Sequence, residues 1–474
     1  MFETVIGLEI HAELATKSKI YCSCSTEFGA APNTHTCPIC TGMPGTLPVL
    51  NRKVVEYAIK AGLAMNCNIR ECGKQDRKNY FYPDLPKAYQ TSQFDMPICE
   101  NGFLEIPTDN GSKRIGITRI HIEEDAGKLI HDPLRGHTLV DYNRCGVPLI
   151  EIVTEPDLRS AKEAKCLLET IKSILEYLEI SDCKMQEGSL RCDVNVSVRP
   201  LGQRELGVRT EMKNINSFSA AVRAIESERK RQTELLDAGK RVKRATRKWD
   251  DTKNQSYDMR SKEEAHDYRY FPEPDLAPIV INSDWISHIK KGLPELPDAR
   301  KQNYISKYGL SAADAAQLVL FKKISDFFED TVRIGASPKL AANWLLGDIP
   351  RLLHKKETEN IPFCAEYLAK TIQMIEKGEL SSSAAKAVIE EMFNHPRDPE
   401  TIAKEKGLLQ VNDEAAVKAF VEKVIAENPK AVQEIKAGKD KAKGFLIGQV
   451  MRLSKGSANP QLISKLLIAL LIEI

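Results

Sequence analysis

The sequence predicts an α+β fold followed by all-α segments, and three observations carry that expectation. Several stretches before residue 290 alternate apolar and charged residues with the period of a strand. Two segments in the same region repeat apolar residues at helical spacing instead. From "GLPELPDAR" (292–300) onward, linker prolines give way to almost uninterrupted helix-forming sequence. The 474 residues suffice for about two to four domains, and 42% of them are hydrophobic. Lys and Arg (68) nearly cancel Asp and Glu (66), so bulk charge singles out no partner. The start lacks the basic and apolar regions of a signal peptide, and no apolar run reaches the ~20 residues of a membrane span. The expectation is a soluble, cytoplasmic protein.

The first strand is read in "VIGLEIHAEL": Glu9, His11 and Glu13 alternate with Leu8, Ile10 and Ala12, so the three polar groups share one face. Next comes "CSCSTEFGAAPNTHTCPIC", in which Cys22 and Cys24 are separated by twelve residues from Cys37 and Cys40. Two close cysteine pairs across a polar loop suit a closed tetrahedral zinc site, structural rather than catalytic. His35 is a possible substitute ligand. Free thiols and a redox pair at Cys37–Cys40 are the alternatives, and no thioredoxin-like βαβ pattern surrounds the latter. The other eight of the twelve cysteines read as small buried hydrophobes.

"DRKNYFYPDLPKAYQ" (76–90) sets Arg77, Lys78 and Lys87 among Tyr80, Phe81, Tyr82 and Tyr89, and its prolines block helix. It is suited to stacking a base or holding phosphate; an aromatic loop packed on a sheet has the same composition. "GITRIHIEEDAGK" places Arg119 and His121 on one face and ends at Glu123, Glu124 and Asp125. "VDYNRCGVPLIEIVTEPDL" (140–158) bends at Gly146 and Pro148 before another strand. A helix spans 160–180, opened by a capping box of Ser160 and Glu163. Two more alternating strands follow, with Asp193, Asn195 and Ser197 on one and Arg209, Glu211 and Lys213 on the other. A second helix covers about 217–238 and stops at Gly239.

A sheet of these strands is apolar on one side and lined with carboxylates, His, Arg and Lys on the other. An ordinary sheet with one solvated face gives the same alternation. Four such strands mixing oxygen ligands with cations favour Mg²⁺ and phosphate chemistry. No P-loop motif occurs, and no convincing dinucleotide fingerprint.

"GLEIHAEL", "DRKNYFYPDLPKAYQ", "DYNRCGVPLIEI" and "GFLIGQVMRLSKGSANP" together resemble the B subunits of glutamine-dependent aspartyl/glutamyl-tRNA amidotransferases, over the whole chain. The resemblance implies an antiparallel-sheet cradle similar to the catalytic fold of glutamine synthetase over 1–292. A helical domain over 293–405 and a small tRNA-binding all-α tail domain over 406–474 follow. It implies that ATP and Mg²⁺ phosphorylate the side-chain carboxylate of misacylated Glu-tRNA(Gln) or Asp-tRNA(Asn). Ammonia then displaces the phosphate. The ammonia comes through a channel from a glutaminase A subunit of the amidase family, and a small C subunit completes a heterotrimer.

Carried over by position, Glu9, His11 and Glu124 are the first candidates for Mg²⁺, with Glu123 undecided against Glu124 and Asp193 and Glu211 weaker. Arg119, Arg209 and Lys213 are the cations toward the nucleotide. Lys78 and Lys87, with Glu124, form the channel mouth, where a carboxylate takes a proton from ammonium. Zinc on the four cysteines then steadies Glu9 and His11 from behind. Two rivals stand beside this reading. A non-catalytic tRNA-binding scaffold is equally served by the basic runs Arg229–Arg231 and Lys240–Lys248. A self-contained amide ligase needs neither partner nor tRNA. The tail adds Lys430, Lys436, Lys439, Lys441, Lys443, Arg452 and Lys455 against only Glu434 and Asp440, a positive surface for RNA phosphates.

Overall fold

The computed structural model describes residues 1–109, 111–132, 134–259, 268–358, 360–410, 413–436, 441–454 and 458–473. It divides into two compact units, Met1–Pro297 and Asp298–Ile474. In the first unit, β1 (Phe2–Glu13) is followed by an irregular loop and α1 (Arg52–Ala64), then by β2 (Asn68–Ile69) and β3 (Cys72–Gly73). β4 (Asp76–Asn79) and β5 (Tyr89–Ser92) bracket the aromatic loop, and β6 (Cys99–Thr108) and β7 (Gly111–Glu124) pair as neighbours. A small hairpin of β8 (Lys128–Asp132) and β9 (His137–Asp141) leads to β10 (Pro148–Thr154) and α2 (Ala161–Tyr177). β11 (Leu190–Pro200), β12 (Thr210–Ile215), α3 (Phe218–Asp237), β13 (Ala245–Asp250) and β14 (Gln255–Asp258) come next. β15 (Phe271–Pro272), β16 (Ile279–Val280) and α4 (Ser283–Lys291) complete the unit.

Nine strands form one sheet in the order β14-β13-β12-β11-β1-β10-β7-β6-β2. The fold is therefore α+β with a large, mainly antiparallel sheet. One pair departs from that pattern: β12 and β13 run parallel. A parallel pair needs a crossover connection, and α3 supplies it.

The period-two alternation decides the two faces. Leu8, Ile10, Ala12, Ile120, Ile122, Ile150, Ile152, Val194 and Val196 all enter one buried core. Ile59 of α1, Leu167, Leu168 and Ile171 of α2, and Ala224 of α3 join the same core. Each fully buried Leu or Ile contributes about 1.5–3 kcal/mol relative to exposure. With the apolar side so covered, the opposite side is left for polar groups.

Helix ends follow the sequence signals. Asn51 accepts from the Lys53 amide at 2.9 Å and caps α1. Ser160 accepts from the Glu163 amide at 3.2 Å, but Glu163 reaches back to the Arg159 amide (2.8 Å), one residue beyond the expected capping box. Lys113 holds the same Glu163 oxygen at 2.7 Å, drawing the carboxylate aside. α3 ends in a Schellman turn: Gly239 has φ +67, and the Lys240 amide bonds the Leu235 carbonyl at 2.8 Å.

The secondary-structure elements of the second unit are all helices among its described residues. Its buried apolar residues form two clusters, one running from Tyr304 to Ala403 and one from Val417 to Leu470. They divide at the stretch between helices Pro399–Glu405 and Glu414–Glu427. Among the described residues no helix is long and apolar enough to cross a membrane.

Candidate active site and metal centres

Antiparallel register, fixed by the buried face, sets the polar face. β1 lies between β10 and β11, so His11 stands opposite Glu151 on one side and Glu9 opposite Asp193 on the other. Glu151 is in turn opposite His121 of β7. Two acid clusters result. In the first, ligand atoms of His11, Glu123 and Glu151 all lie within 4.8 Å of one another. In the second, Glu9, Asp193 and Glu211 meet the same limit.

In the first cluster Glu123 and Glu151 are buried and His11 is half-buried. His121 Nε2 lies 3.1 Å from Glu123 Oε1 and 3.2 Å from Glu151 Oε2, and His11 Nε2 lies 3.5 Å from the same Glu151 oxygen. Burial works against every charge here, yet the charges sustain one another. Burial disfavours the His121 imidazolium, but its bonds to Glu123 and Glu151 raise its pKa to about 9. Glu123 is held at about 2, because His121 and the nearby Lys78 ammonium outweigh its burial. Glu151 is driven far below the carboxylate range against its burial, by His11 and His121. His11 is raised, burial again being outweighed by Glu151. Burial lowers the Lys78 pKa, but the charges of Glu123, Tyr270, Tyr80 and Glu151 raise it further. Two carboxylates here face two histidines whose charged forms they favour, so a metal ion held by His11, Glu123 and Glu151 would take the place of the His11 proton.

The second cluster already holds one. Lys213 Nζ lies 2.6 Å from Asp193 Oδ2 and 2.8 Å from Glu211 Oε1. Asn195 donates to Glu9 Oε1 at 2.9 Å, and Thr246 donates to Glu211 Oε2 at 2.9 Å. Arg209 is exposed just before β12, close enough for its charge to lower Glu211, an effect smaller than those of burial and Lys213. Arg119 Nε lies 3.4 Å from His121 Nδ1, behind the first cluster.

Glu124 belongs to neither cluster. It sits at the end of β7, where its Oε1 accepts from the Thr91 amide (2.9 Å) and hydroxyl (2.8 Å) and pairs with Lys87. Glu123, of the same parity as Arg119 and His121, turns to the acid face and accepts from Ser92 Oγ at 2.7 Å. The aromatic loop thus sets one lysine on each side of this carboxylate pair. Lys78 faces Glu123 electrostatically and Lys87 bonds Glu124. Aromatic faces flank both: Tyr268 lies 5.1 Å from Lys78 Nζ and Tyr89 lies 4.8 Å from Lys87 Nζ.

The four cysteine sulfurs of Cys22, Cys24, Cys37 and Cys40 also lie within 4.8 Å of one another, and all four are free thiols. The Cys37 amide donates to Cys40 Sγ at 3.2 Å. A hydrogen bond from Cys22 draws Cys40 down to about 5, while burial pushes Cys24 up to about 11. Four converging sulfurs are the donor set of a closed tetrahedral site, so the residues fit zinc. His35 offers its carbonyl to Lys19 at 2.7 Å. The contacts of the clip run to the aromatic loop and to the bend at 142–147. The His35 amide bonds Asn143 Oδ1 at 2.8 Å, Cys145 Sγ meets the Cys40 carbonyl at 3.5 Å, and Gly42 lies against Lys87.

Glu151 is a functional candidate that the sequence pattern did not single out, and His121, read there on one face with Arg119, was not assigned to the metal set. The lone acid in the apolar run "PLIEIVT" was a usable signal for Glu151. The basic runs are partly spent in ion pairs: Arg229 with Glu226 (2.8 Å), Arg231 with buried Glu228 (2.6 Å), and Arg247 with Asp258. Lys240, Arg241, Lys243, Arg244 and Lys248 remain exposed. In the tail, Lys439, Asp440 and Lys455 lie outside the described residues, as do the side chains of Glu434, Lys436 and Lys441.

Residues 4–287 match the family described as the GatB/GatE catalytic domain, and residues 326–471 match that described as the GatB domain. The chain is 59% identical over 471 residues to a protein of Caldicellulosiruptor bescii named as the B subunit of aspartyl/glutamyl-tRNA(Asn/Gln) amidotransferase, covering 98% of each. A protein of the same name from Thermoanaerobacter pseudethanolicus is 56% identical over 468 residues, 98% of each. One from Clostridium acetobutylicum, named as a second such B subunit, is 52% identical over 476 residues and covers the whole of both.

Proposed function

Because the chain belongs to the family of aspartyl/glutamyl-tRNA(Asn/Gln) amidotransferase B subunits, we propose that its acid face activates the side-chain carboxylate of a misacylated tRNA and that its rim admits the ammonia. It is one component of a glutamine-dependent, tRNA-dependent amidotransferase. The substrates are Glu-tRNA(Gln) and Asp-tRNA(Asn), and the work is done in the cytoplasm. The glutaminase is a separate amidase-type A subunit, joined by a small C subunit. The sheet unit acts as a cradle comparable to glutamine synthetase. A helical segment to about 405 follows, and the tail from 406 contacts the tRNA away from its acceptor end.

The chemistry has two steps. The substrate carboxylate oxygen attacks the γ-phosphorus of ATP, and ADP leaves. Ammonia then attacks the acyl carbon, phosphate leaves, and a proton is released. Magnesium, when bound, neutralises the oxygens of the transferring phosphoryl group. His11, Glu123 and Glu151 are the residues to hold one ion, and Glu9, Asp193 and Glu211 a second. Lys213 must leave the second cluster for an ion to enter; together with Arg119 and Arg209 it supplies positive charge for phosphate. Lys78 balances the acid cluster from the loop side. Lys87 pairs with Glu124 and holds it in place, so that Glu124 can strip the proton of an incoming ammonium and deliver neutral ammonia. The four cysteines hold structural zinc.

The convergence of the two acid clusters on one sheet face, with the Lys87–Glu124 pair at its edge, carries this reading. The test is the purified complex on Glu-tRNA(Gln) and Asp-tRNA(Asn), with glutamine or ammonium chloride as donor. Amidation with both donors and ATP cleavage that needs the misacylated tRNA are expected. In His11→Ala, lost ATP cleavage with intact tRNA binding is expected. Full ATP cleavage in that variant would refute the catalytic role, and loss of tRNA binding would favour a scaffold.

A further inference from the structure

Lys19 is a fully buried lysine, 0% exposed. An ammonium removed from water needs hydrogen-bond acceptors and opposite charge. Its acceptors are the His35 carbonyl at 2.7 Å, the Tyr142 carbonyl at 3.4 Å and Cys40 Sγ at 3.6 Å. Two are neutral, and among the described residues no carboxylate forms an ion pair with it. The one acceptor able to carry negative charge is the Cys40 sulfur. Four thiolates around a divalent ion keep two negative charges, so a metal-loaded cluster supplies the missing counter-charge.

The placement is specific to both arms of the cluster. The Lys19 amide bonds the Cys24 carbonyl at 3.0 Å, beside the bridge between Ser18 and Ser25 that folds the first cysteine pair. Its side chain then crosses to the second pair, where the Cys37 amide already donates to the same Cys40 sulfur. Through Tyr142 it reaches the bend whose Gly146 carbonyl accepts from the Ile20 amide at 3.0 Å.

We propose that Lys19 is the built-in counter-cation of the four-cysteine metal site. It neutralises part of the thiolate charge by an N–H···S bond to Cys40 and ties the two cysteine pairs to the 142–146 bend. The proposal rests on the zinc reading above. Lys19 is a positioning residue and touches no reacting atom.

The full-length chain, Lys19→Met, Lys19→Gln and Lys19→Arg are compared for zinc content, for zinc transfer to a chromophoric chelator, and for the spectrum of their cobalt(II) forms. Removing the charge is expected to weaken zinc retention about 10–100-fold, the range for groups that support metal ligands. Arg, which keeps charge and donors, is expected to lose less. The sulfur-to-cobalt charge-transfer band is expected at lower energy in Met and Gln, because thiolates without a nearby cation are more easily oxidised. If Met does not fold, Gln and Arg carry the comparison. Zinc-loaded parent matched by Met or Gln in both retention and spectrum would overturn the role of Lys19 alone. A folded parent without metal would overturn the zinc reading and this inference with it.

Discussion

Glu151→Gln is the sharpest perturbation of the acid face, because one oxygen of Glu151 serves both His11 and His121. An amide keeps the size and an acceptor but removes the charge. His121, held at about 9 by Glu123 and Glu151, would then be held by Glu123 alone. Its pKa should fall by about one unit or more, each unit being worth about 1.4 kcal/mol. The sign follows from linkage. A histidine raised from 6.5 to about 9 stabilises the fold fully below pH 6.5, and that contribution is lost as pH rises through 9. The variant should therefore be less stable than the parent at neutral pH, and the gap due to this histidine should narrow above pH 9. Loss of a proposed Mg²⁺ ligand should also lower kcat for amidation about 10²–10³-fold, the usual cost of removing one group that stabilises transition-state charge. Imidazole titration by NMR reads the first effect without activity. Ammonium-driven amidation by the complex across a Mg²⁺ series reads the second. An unmoved His121 titration together with an unmoved Mg²⁺ dependence would refute both the geometry and the role.

Three further outcomes are expected. Glu124→Gln and Lys87→Met should leave ATP cleavage on misacylated tRNA but cut amide formation about 10²-fold or more, the scale of general acid–base assistance; a parallel fall of both would place the pair in the phosphoryl step instead. Cys24→Ser should take zinc from about one ion per chain to well below one by elemental analysis, and full retention would remove Cys24 from the set. Deleting residues from about 406 should raise the KM for misacylated tRNA and flatten the salt dependence of binding, with glutamine hydrolysis by the A subunit unchanged; an identical salt slope would make Lys430, Lys443 and Arg452 a solvated surface only.

The acid face was legible because alternation is local: Glu9, His11 and Glu13 declare their side from their immediate neighbours. Glu151 was not, because its place opposite His11 depends on pairing between segments some 140 residues apart in the chain. The choice between Glu123 and Glu124 stays undecided in the sequence reading, although parity with Arg119 and His121 separates the two; the grouping of Lys87 with Glu124 comes from the resemblance, and its geometry needs the small sheet that carries Thr91 and the loop that leads into it. The Lys213 contacts to both Asp193 and Glu211 likewise need the register of β11 with β12. The parallel β12–β13 pair escaped because strand direction lies in the connection rather than in the strand.

Gly42 has φ +69, and a Cβ built on it would come 2.5 Å from Lys87 Cγ and 3.2 Å from Lys87 Cα. The cysteine loop is thus the wall against which Lys87 is set, with no room for padding. A long irregular loop left to itself wanders, and anything leaning on it inherits that jitter. Tied at its base, the same loop becomes a datum surface, and the tolerance of the Lys87–Glu124 alignment is set by how stiffly four sulfurs are held. On the proposed roles, oxidation or chelation of those sulfurs would then surface as a loss of fidelity in translation before any loss of fold, with carboxylates activated and left waiting for nitrogen.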